Sequence, residues 1–416
     1  EIGGYKMLDT LQTVKKFKQI YSSVQVLASG FVQFGNFDYG PIFSTFGYNE
    51  VEGVRLRAGG RTYFGTDDSW RVQGYTAYGF KDDKFKYGFS GKWLVDRKNR
   101  LILSGGNRRD IEQIGASLTA TYDVLGRSSA SSSVFTSGSN GKLTAINLSN
   151  VAIEMEPVKN LTFQTGFSYR TLESASPTFS LDYYTDVANG IVKSDVKQSE
   201  VSLQVDYTPK RKTIGFAVER QTVDSPYSRF FVNYSHGFKG LFDSDFQYDK
   251  LQVYFKQPII IGPLGRSNII VEVGKTFGTV PLGLMSVIPG NQTFFSIENT
   301  FSNLNYYEFV SDKYATLQWN HNFGGRLFSR IPFMRKLNWR EIVAVKGVYG
   351  SISDDNRAIN ASGLIYNAPE KGYWEYSAGI GNIFKLFRVD FAWRGNYLNT
   401  PDTNKFTVKA SFGFNF

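Results

Sequence analysis

Cysteine is absent from these 416 residues, and histidine nearly so, with only two. The first absence removes disulfides, thiol nucleophiles and most structural zinc sites. The second leaves His236 and His321 as the sole imidazoles for acid–base chemistry. Long apolar runs are missing as well. The longest, Ile259 to Ile261 with its Gly and Pro neighbours, falls far short of the ~20 residues a membrane helix needs. A helical membrane protein is thereby excluded. A transmembrane barrel is not, because its strands alternate apolar with polar residues and average to a mild hydropathy, here −0.27.

Aromatic residues are abundant, at 16 % of the chain, and they fall into a two-residue rhythm. In Lys405–Phe416, residues Phe406, Val408, Ala410, Phe412, Phe414 and Phe416 share one face, and Lys405, Thr407, Lys409, Ser411, Gly413 and Asn415 the other. Period two over this length is a strand that matches the ~9–11 residues of a tilted membrane crossing. The same alternation recurs in Lys84–Val95, Glu200–Tyr207 and Phe387–Arg394. Alternation alone also fits a soluble sandwich. Three features decide for a barrel. The strands are longer than the usual 5–6 residues of globular sheets. Aromatics such as Tyr63, Phe64, Trp70, Tyr78, Phe80, Trp93, Tyr373, Trp374 and Trp393 crowd their ends, as interfacial girdles do. Connections alternate in length, with 65–69, 96–99, 156–160 and 209–212 short against 36–50, 111–141, 174–196 and 351–372 long and polar.

The expected fold is therefore all-β: a transmembrane antiparallel outer-membrane β-barrel of 16–18 strands over residues 23–416, led by a short N-terminal amphipathic helix within 1–22. The expected strands include 24–35, 51–64, 213–221 and 293–299. An even count returns both termini to the periplasm. Leu8, Leu11, Val14, Phe17 and Ile20 recur at three-residue spacing between lysines, which is the helix pattern. That helix would plug the lumen, lie on the periplasmic surface or link to a missing domain. The chain opens on Glu1 without a signal peptide, as a mature or trimmed chain would. The net charge of +10 reads as a lumen and membrane-facing turns rich in Lys and Arg, with no nucleic-acid partner.

Two groups stand out as candidate sites. Arg55, Arg57 and Arg61 share a parity opposite Val54 and Leu56, and with Glu52 and Arg71 they form a charged cluster expected to face the lumen. Placing such charge toward lipid at mid-membrane would cost ~2–4 kcal/mol. The cluster reads either as an anion path or plug-docking surface, or as an internal ion-pair network. Residues 326–340 interleave Arg330, Arg335 and Lys336 with Phe333 and Trp339, which suits anchoring to headgroups at the periplasmic boundary or a turn packed on the rim.

The sequence holds no recognisable catalytic arrangement. Ser235 and His236 are adjacent on a strand and so point to opposite faces. His321 sits near a strand end, and no nucleophile elbow, zinc-protease helix or P-loop occurs. Acidic pairs at 67–68, 82–83 and 354–355 sit in turns without the ligand spacing of a calcium loop. No catalytic residue, metal or cofactor is expected.

Several segments look familiar together. Tyr48–Arg55, Tyr78–Asp82, Gly274–Pro281, Glu308–Tyr314, Ile331–Leu337 and Arg340-Glu341 resemble a Bacteroidota outer-membrane family, the carboxypeptidase-like regulatory-domain proteins of unknown function. The resemblance implies a Gram-negative outer membrane and a small N-terminal β-sandwich that this chain lacks. It implies no peptidase activity and supplies no catalytic residues. A wider similarity to the insertase superfamily that assembles outer-membrane proteins runs through Val51-Glu-Gly-Val-Arg55. The expected function is a non-enzymatic scaffold or accessory subunit of an outer-membrane biogenesis, secretion or transport complex, with a diffusion channel as the alternative. Expected partners are outer-membrane lipid and lipopolysaccharide, other envelope proteins, and the barrel-assembly machinery. The machinery would read Phe412, Phe414 and Phe416 as a terminal aromatic signal.

Overall fold

The computed structural model describes residues 30–412 apart from 64–66, 116–124, 126–130, 132–139, 177–178, 224–225, 365 and 401. The expected helix within 1–22, Phe414 and Phe416 lie outside the described residues, as does most of the expected strand 24–35. One sheet of eighteen strands dominates. Its first nine are β1 Val32–Phe34, β2 Phe37–Tyr39, β3 Phe46–Asn49, β4 Gly53–Thr62, β5 Trp70–Gly79, β6 Lys84–Asp96, β7 Leu101–Glu112, β8 Thr144–Val158 and β9 Leu161–Ser174. The rest are β10 Asp195–Tyr207, β11 Arg229–Phe238, β12 Tyr248–Ile260, β13 Arg266–Phe277, β14 Lys313–Asn322, β15 Arg340–Ser351, β16 Tyr373–Ile383, β17 Phe387–Arg394 and β18 Phe406–Phe412. From β4 onward each strand pairs antiparallel with the next in the chain.

The sheet is inside out relative to a soluble protein. Phe85, Phe89 and Trp93 of β6, Val151 of β8, Leu203 of β10 and Leu317 of β14 are all exposed. On the other face Ser90, Gln198, Ser202, Gln204, Asn233, Gln252 and Glu272 are buried. Water would not tolerate an apolar face this extensive, and a polar interior must be hydrogen-bonded to survive burial. Lipid outside and a polar inner face satisfy both conditions. The architecture is a transmembrane β-barrel.

Three expected elements come out differently. Residues 36–50 are not a long loop. β2 pairs with the end of β4 and β3 with its start, so together they make one broken strand. Each piece alternates over only three or four residues, and Pro41 with the turn Ile42–Ser44 interrupts the rhythm. Residues 213–221 are not a barrel strand either: Thr213–Ile214 and Gln221–Thr222 pair with each other, and Ala217 and Val218 between them are buried. The connection from β10 to β11 is therefore long, not the tight turn expected at 209–212. Residues 293–299 belong to the connection between β13 and β14.

Candidate functional site

Two separate charge clusters flank β4 on the inner face, one near each of its ends. At the long-loop end Arg55 donates to Glu52 Oε1 at 2.6 Å and to both oxygens of Asp110, at 2.8 and 2.9 Å. Lys86 Nζ adds contacts to Glu52 at 3.0 Å and Asp82 at 2.6 Å. Tyr75 completes the group by donating to Asp110. Its ring lies so near Gly88 that a Cβ there would come within 2.6 Å of Cε1. Arg55, Glu52 and Asp110 are all but fully buried, where an unpaired charge would be prohibitive. Arg57 stands between the clusters, over the Tyr75 ring at 4.4 Å and donating to Ser44 Oγ at 2.8 Å.

At the short-turn end Arg61 donates to Asp38 at 3.1 Å and lies over Phe31. Arg71 pairs with Asp68 at 3.3 Å and with Glu219. Glu219 arrives on the inward-folded segment 213–222, which Arg100 holds by donating to the carbonyls of Ala217 and Val218. Val218 packs on Leu94 and Ile102. Burial alone would raise the Glu219 carboxyl, but Lys92, Arg71 and Arg61 outweigh it and hold it below the usual carboxylate range. Of the five residues grouped from sequence, Glu52 and Arg55 thus join one ion-pair network and Arg61 and Arg71 another, with Arg57 between them. Sequence reasoning missed Asp110, Lys86 and Glu219. The first two carry a signal, since both lie on the inner parity of their strands.

Among the described residues, a cap made by the chain itself covers part of the inner face. The connection 278–312 folds inward, and its Ile288, Phe301, Leu304 and Phe309 form a core with Tyr314, Val348 and Tyr373 of the wall. A second core joins its Leu282, Leu284, Met285, Val287, Tyr306, Tyr307 and Val310 to Phe179 and Leu181 of the preceding long loop and to Ile146, Leu172, Val196 and Tyr248 of the wall. Charged wall residues tie the cap's backbone. Glu375 accepts the Ser302 and Asn303 amides at 2.7 and 3.0 Å. Lys346 donates to the Thr300 carbonyl at 2.6 Å, and Lys409 to those of Asn291 and Thr293 at 2.7 and 2.6 Å. Arg394 reaches Glu308 and the Asn303 carbonyl.

The cap also meets the edge of the sheet. Among the described residues no ladder joins β1 to β18. Ala410 of β18 donates to the Phe294 carbonyl at 2.8 Å and accepts from the Ser296 amide at 2.7 Å, a parallel bridge on the edge that β17 leaves open. An exposed strand edge invites pairing with another chain, and this one is partly covered from within.

The segment at 326–340 contains a six-residue helix, Pro332–Leu337. Phe333 is 73 % exposed, with Arg330, Arg335 and Lys336 exposed around it and Trp339 half-buried, so an apolar tip stands among cations. His321 is structural: its ring nitrogens meet Ser267 Oγ at 2.7 Å and the Leu264 carbonyl at 2.9 Å. His236 faces Asp249 at 2.7 Å. Among the described residues no three His, Asp or Glu side chains gather as a metal site would need.

A family model for the C-terminal domain of a family of unknown function, DUF5686, matches residues 32–355. The chain belongs to this family. No curated protein matches the sequence. Among solved structures, BamA from Haemophilus ducreyi lacking POTRA domains 1–3 is similar at TM-score 0.53 and 10 % identity, over 92 % of this chain and 71 % of that one. CdiB from Escherichia coli is similar at TM-score 0.50 and 11 % identity, over 91 % of this chain and 62 % of that one. At such identities the likeness concerns the barrel fold alone. The DUF5686 chain thus joins a barrel shared with these proteins to a cap built from its own residues.

Proposed function

We propose that this DUF5686 barrel is a closed, non-enzymatic component of a Gram-negative outer membrane, acting as a scaffold or accessory subunit in a complex that assembles, exports or transports envelope components. The short turns and the 332–337 helix then face the periplasm, and the cap faces outward. The observation that carries the reading is the filled inner face: cap residues 280–310 pack two apolar cores against the wall. A passive pore needs an open, wet lumen. Its arginines would also have to be available to solutes, and here Arg55, Arg61 and Arg71 are held by carboxylates. The diffusion channel is therefore the weaker reading. The Bacteroidota origin and the preceding β-sandwich implied by the resemblance would give the complex its periplasmic arm. The exposed Phe333 with Arg335 and Lys336 suits contact with periplasmic-leaflet headgroups.

The test is isolation of the tagged full-length protein from envelopes in mild detergent with brief crosslinking. A reproducible stoichiometric partner is expected. A barrel that emerges alone at full yield, with and without crosslinker, contradicts the scaffold role.

A further inference from the structure

Polar side chains at the short-turn end of the wall face outward and yet are buried. Ser267 of β13 pairs with His321 of β14, and His321 with Val343 of β15, so the three share the lipid-facing parity of Leu317 and Val345. Glu341 lies two residues before Val343 on that same face. His321 is nonetheless only 5 % exposed and Glu341 7 %. The connection between β14 and β15 covers them. The Phe323 ring lies 4.3 Å from that of His321, and the Phe328 amide donates to Glu341. This connection therefore leaves the barrel on its lipid side, away from the lumen. Asn382, near the end of β16, donates to the Asn338 carbonyl at 2.7 Å and ties down the far end of the 332–337 helix.

Trp319 stands two residues above His321 on the same face. A tilted strand descends only about 5 Å over two residues, so the connection starts at the level where interfacial aromatics meet headgroups. Its composition suits that level. Residues 323–340 hold no acid, and the adjoining Glu341 is buried. Arg330, Arg335 and Lys336 are exposed, and no carboxylate pairs with them among the described residues. In the helix only Met334 is half-buried, so Phe333 points away from the wall. The neighbouring turn between β16 and β17 repeats the pairing of ring and cation. Phe384 is 84 % exposed and Lys385 is exposed beside it. Both have positive φ, 49° and 66°, at turn positions where Asn and Gly are the usual occupants. Turn geometry thus disfavours the two residues found there, and strain that persists marks a functional demand.

We propose that the connection 323–338 and the Phe384–Lys385 turn together bind anionic phospholipid in the periplasmic leaflet. Phe333 and Phe384 enter the acyl boundary, while Arg335, Lys336 and Lys385 hold the phosphates. The inference rests on the outer-membrane reading above and adds a headgroup preference to it. Cations without an available acid select a net-negative headgroup over a zwitterionic one. An acidic protein segment would also suit the charge, but the position on the lipid side of the wall and the two bare rings favour lipid.

The experiment reconstitutes the intact barrel in nanodiscs of phosphatidylethanolamine and phosphatidylglycerol in equal parts. Native mass spectrometry after release into mild detergent identifies the retained lipid. Retention is expected to favour phosphatidylglycerol, with the preference about tenfold lower in R335Q/K336Q. F384N suits the left-handed turn better than Phe does, so it is expected to raise the thermal midpoint while lowering retention about threefold. Heat-modifiable mobility confirms folding, and K336Q alone gives a smaller loss if the double variant does not fold. No headgroup preference in the parent, or unchanged retention in either folded variant, overturns the site. A photo-crosslinker at position 333 is expected to capture lipid in envelopes; capture of protein in its place assigns the surface to a partner chain and overturns the lipid. A chain that never enters the nanodisc sinks the membrane reading and this site with it, whereas an inserted barrel indifferent to headgroup charge sinks the site alone.

Discussion

Replacing Arg55 by Met is expected to destabilise the barrel by about 3–5 kcal/mol, the range for removing one partner of a buried ion pair. Asp110 loses two charge-assisted hydrogen bonds, at 2.8 and 2.9 Å, while Tyr75 and the Ile111 amide still donate to it. Glu52 loses one contact at 2.6 Å but retains Lys86 at 3.0 Å and Asn49. Most of the loss therefore falls on Asp110. Two bonds to charged groups at about 1.5–3 kcal/mol each give about 3–6 kcal/mol, which spans that range. The double variant R55M/D110L removes both charges and fills the space with apolar atoms. It is expected to recover most of the stability, with a coupling of at least about 2 kcal/mol. Urea unfolding of the barrel in lipid vesicles, followed by tryptophan fluorescence and by heat-modifiable mobility, measures all three. A loss below about 1 kcal/mol in R55M, or simple additivity in the double variant, would refute the network.

Two further outcomes follow from the geometry and a third from the sequence. Glu219 has a folded pKa below its unfolded value. Its contribution to docking segment 213–222 is therefore complete above the ordinary carboxylate range near pH 4.3 and fades as pH falls through the lowered value. Thiol labelling of V218C, clean because the chain has no native cysteine, is expected to accelerate in acid relative to a free thiol at the same pH, which removes the falling thiolate fraction. In V218C/E219Q that ratio should be high at every pH, and a pH-independent ratio in the parent would contradict this. The variant F295C/A410C joins bridge partners and is expected to form a disulfide on mild oxidation; persistent free thiols would deny that the cap covers the β18 edge. Deleting Phe416 is expected to lower the folded barrel recovered from membranes, and unchanged recovery counts against the terminal signal.

Much of the barrel was legible because lipid imposes a strict rule. Strands such as Lys84–Asp96 must alternate over their whole length, and that rhythm needs no knowledge of neighbours. The parity that put Arg55 inward used the same rule. What was hidden depends on contacts distant in sequence. Phe37–Tyr39 and Phe46–Asn49 read as loop because neither piece is long enough to show a period, and only pairing with β4 makes them strand. Residues 213–221 alternate like a strand, yet Ala217 and Val218 bury against the inner wall. The cap was hidden for a similar reason. Leu282, Ile288, Phe301 and Leu304 have no simple spacing, since a core made of loop has no lattice to follow. Its anchors Lys346, Glu375 and Lys409 are ordinary inward polar residues until the carbonyls and amides they bind are in view.

Planar-bilayer conductance of the reconstituted barrel, compared with a variant in which residues 288–309 are replaced by a short glycine–serine linker, tests the closed-barrel account most directly. The intact protein is expected to be electrically silent and the variant to show steady openings. Steady conductance through the intact barrel, unchanged by removal of the cap segment, would contradict it.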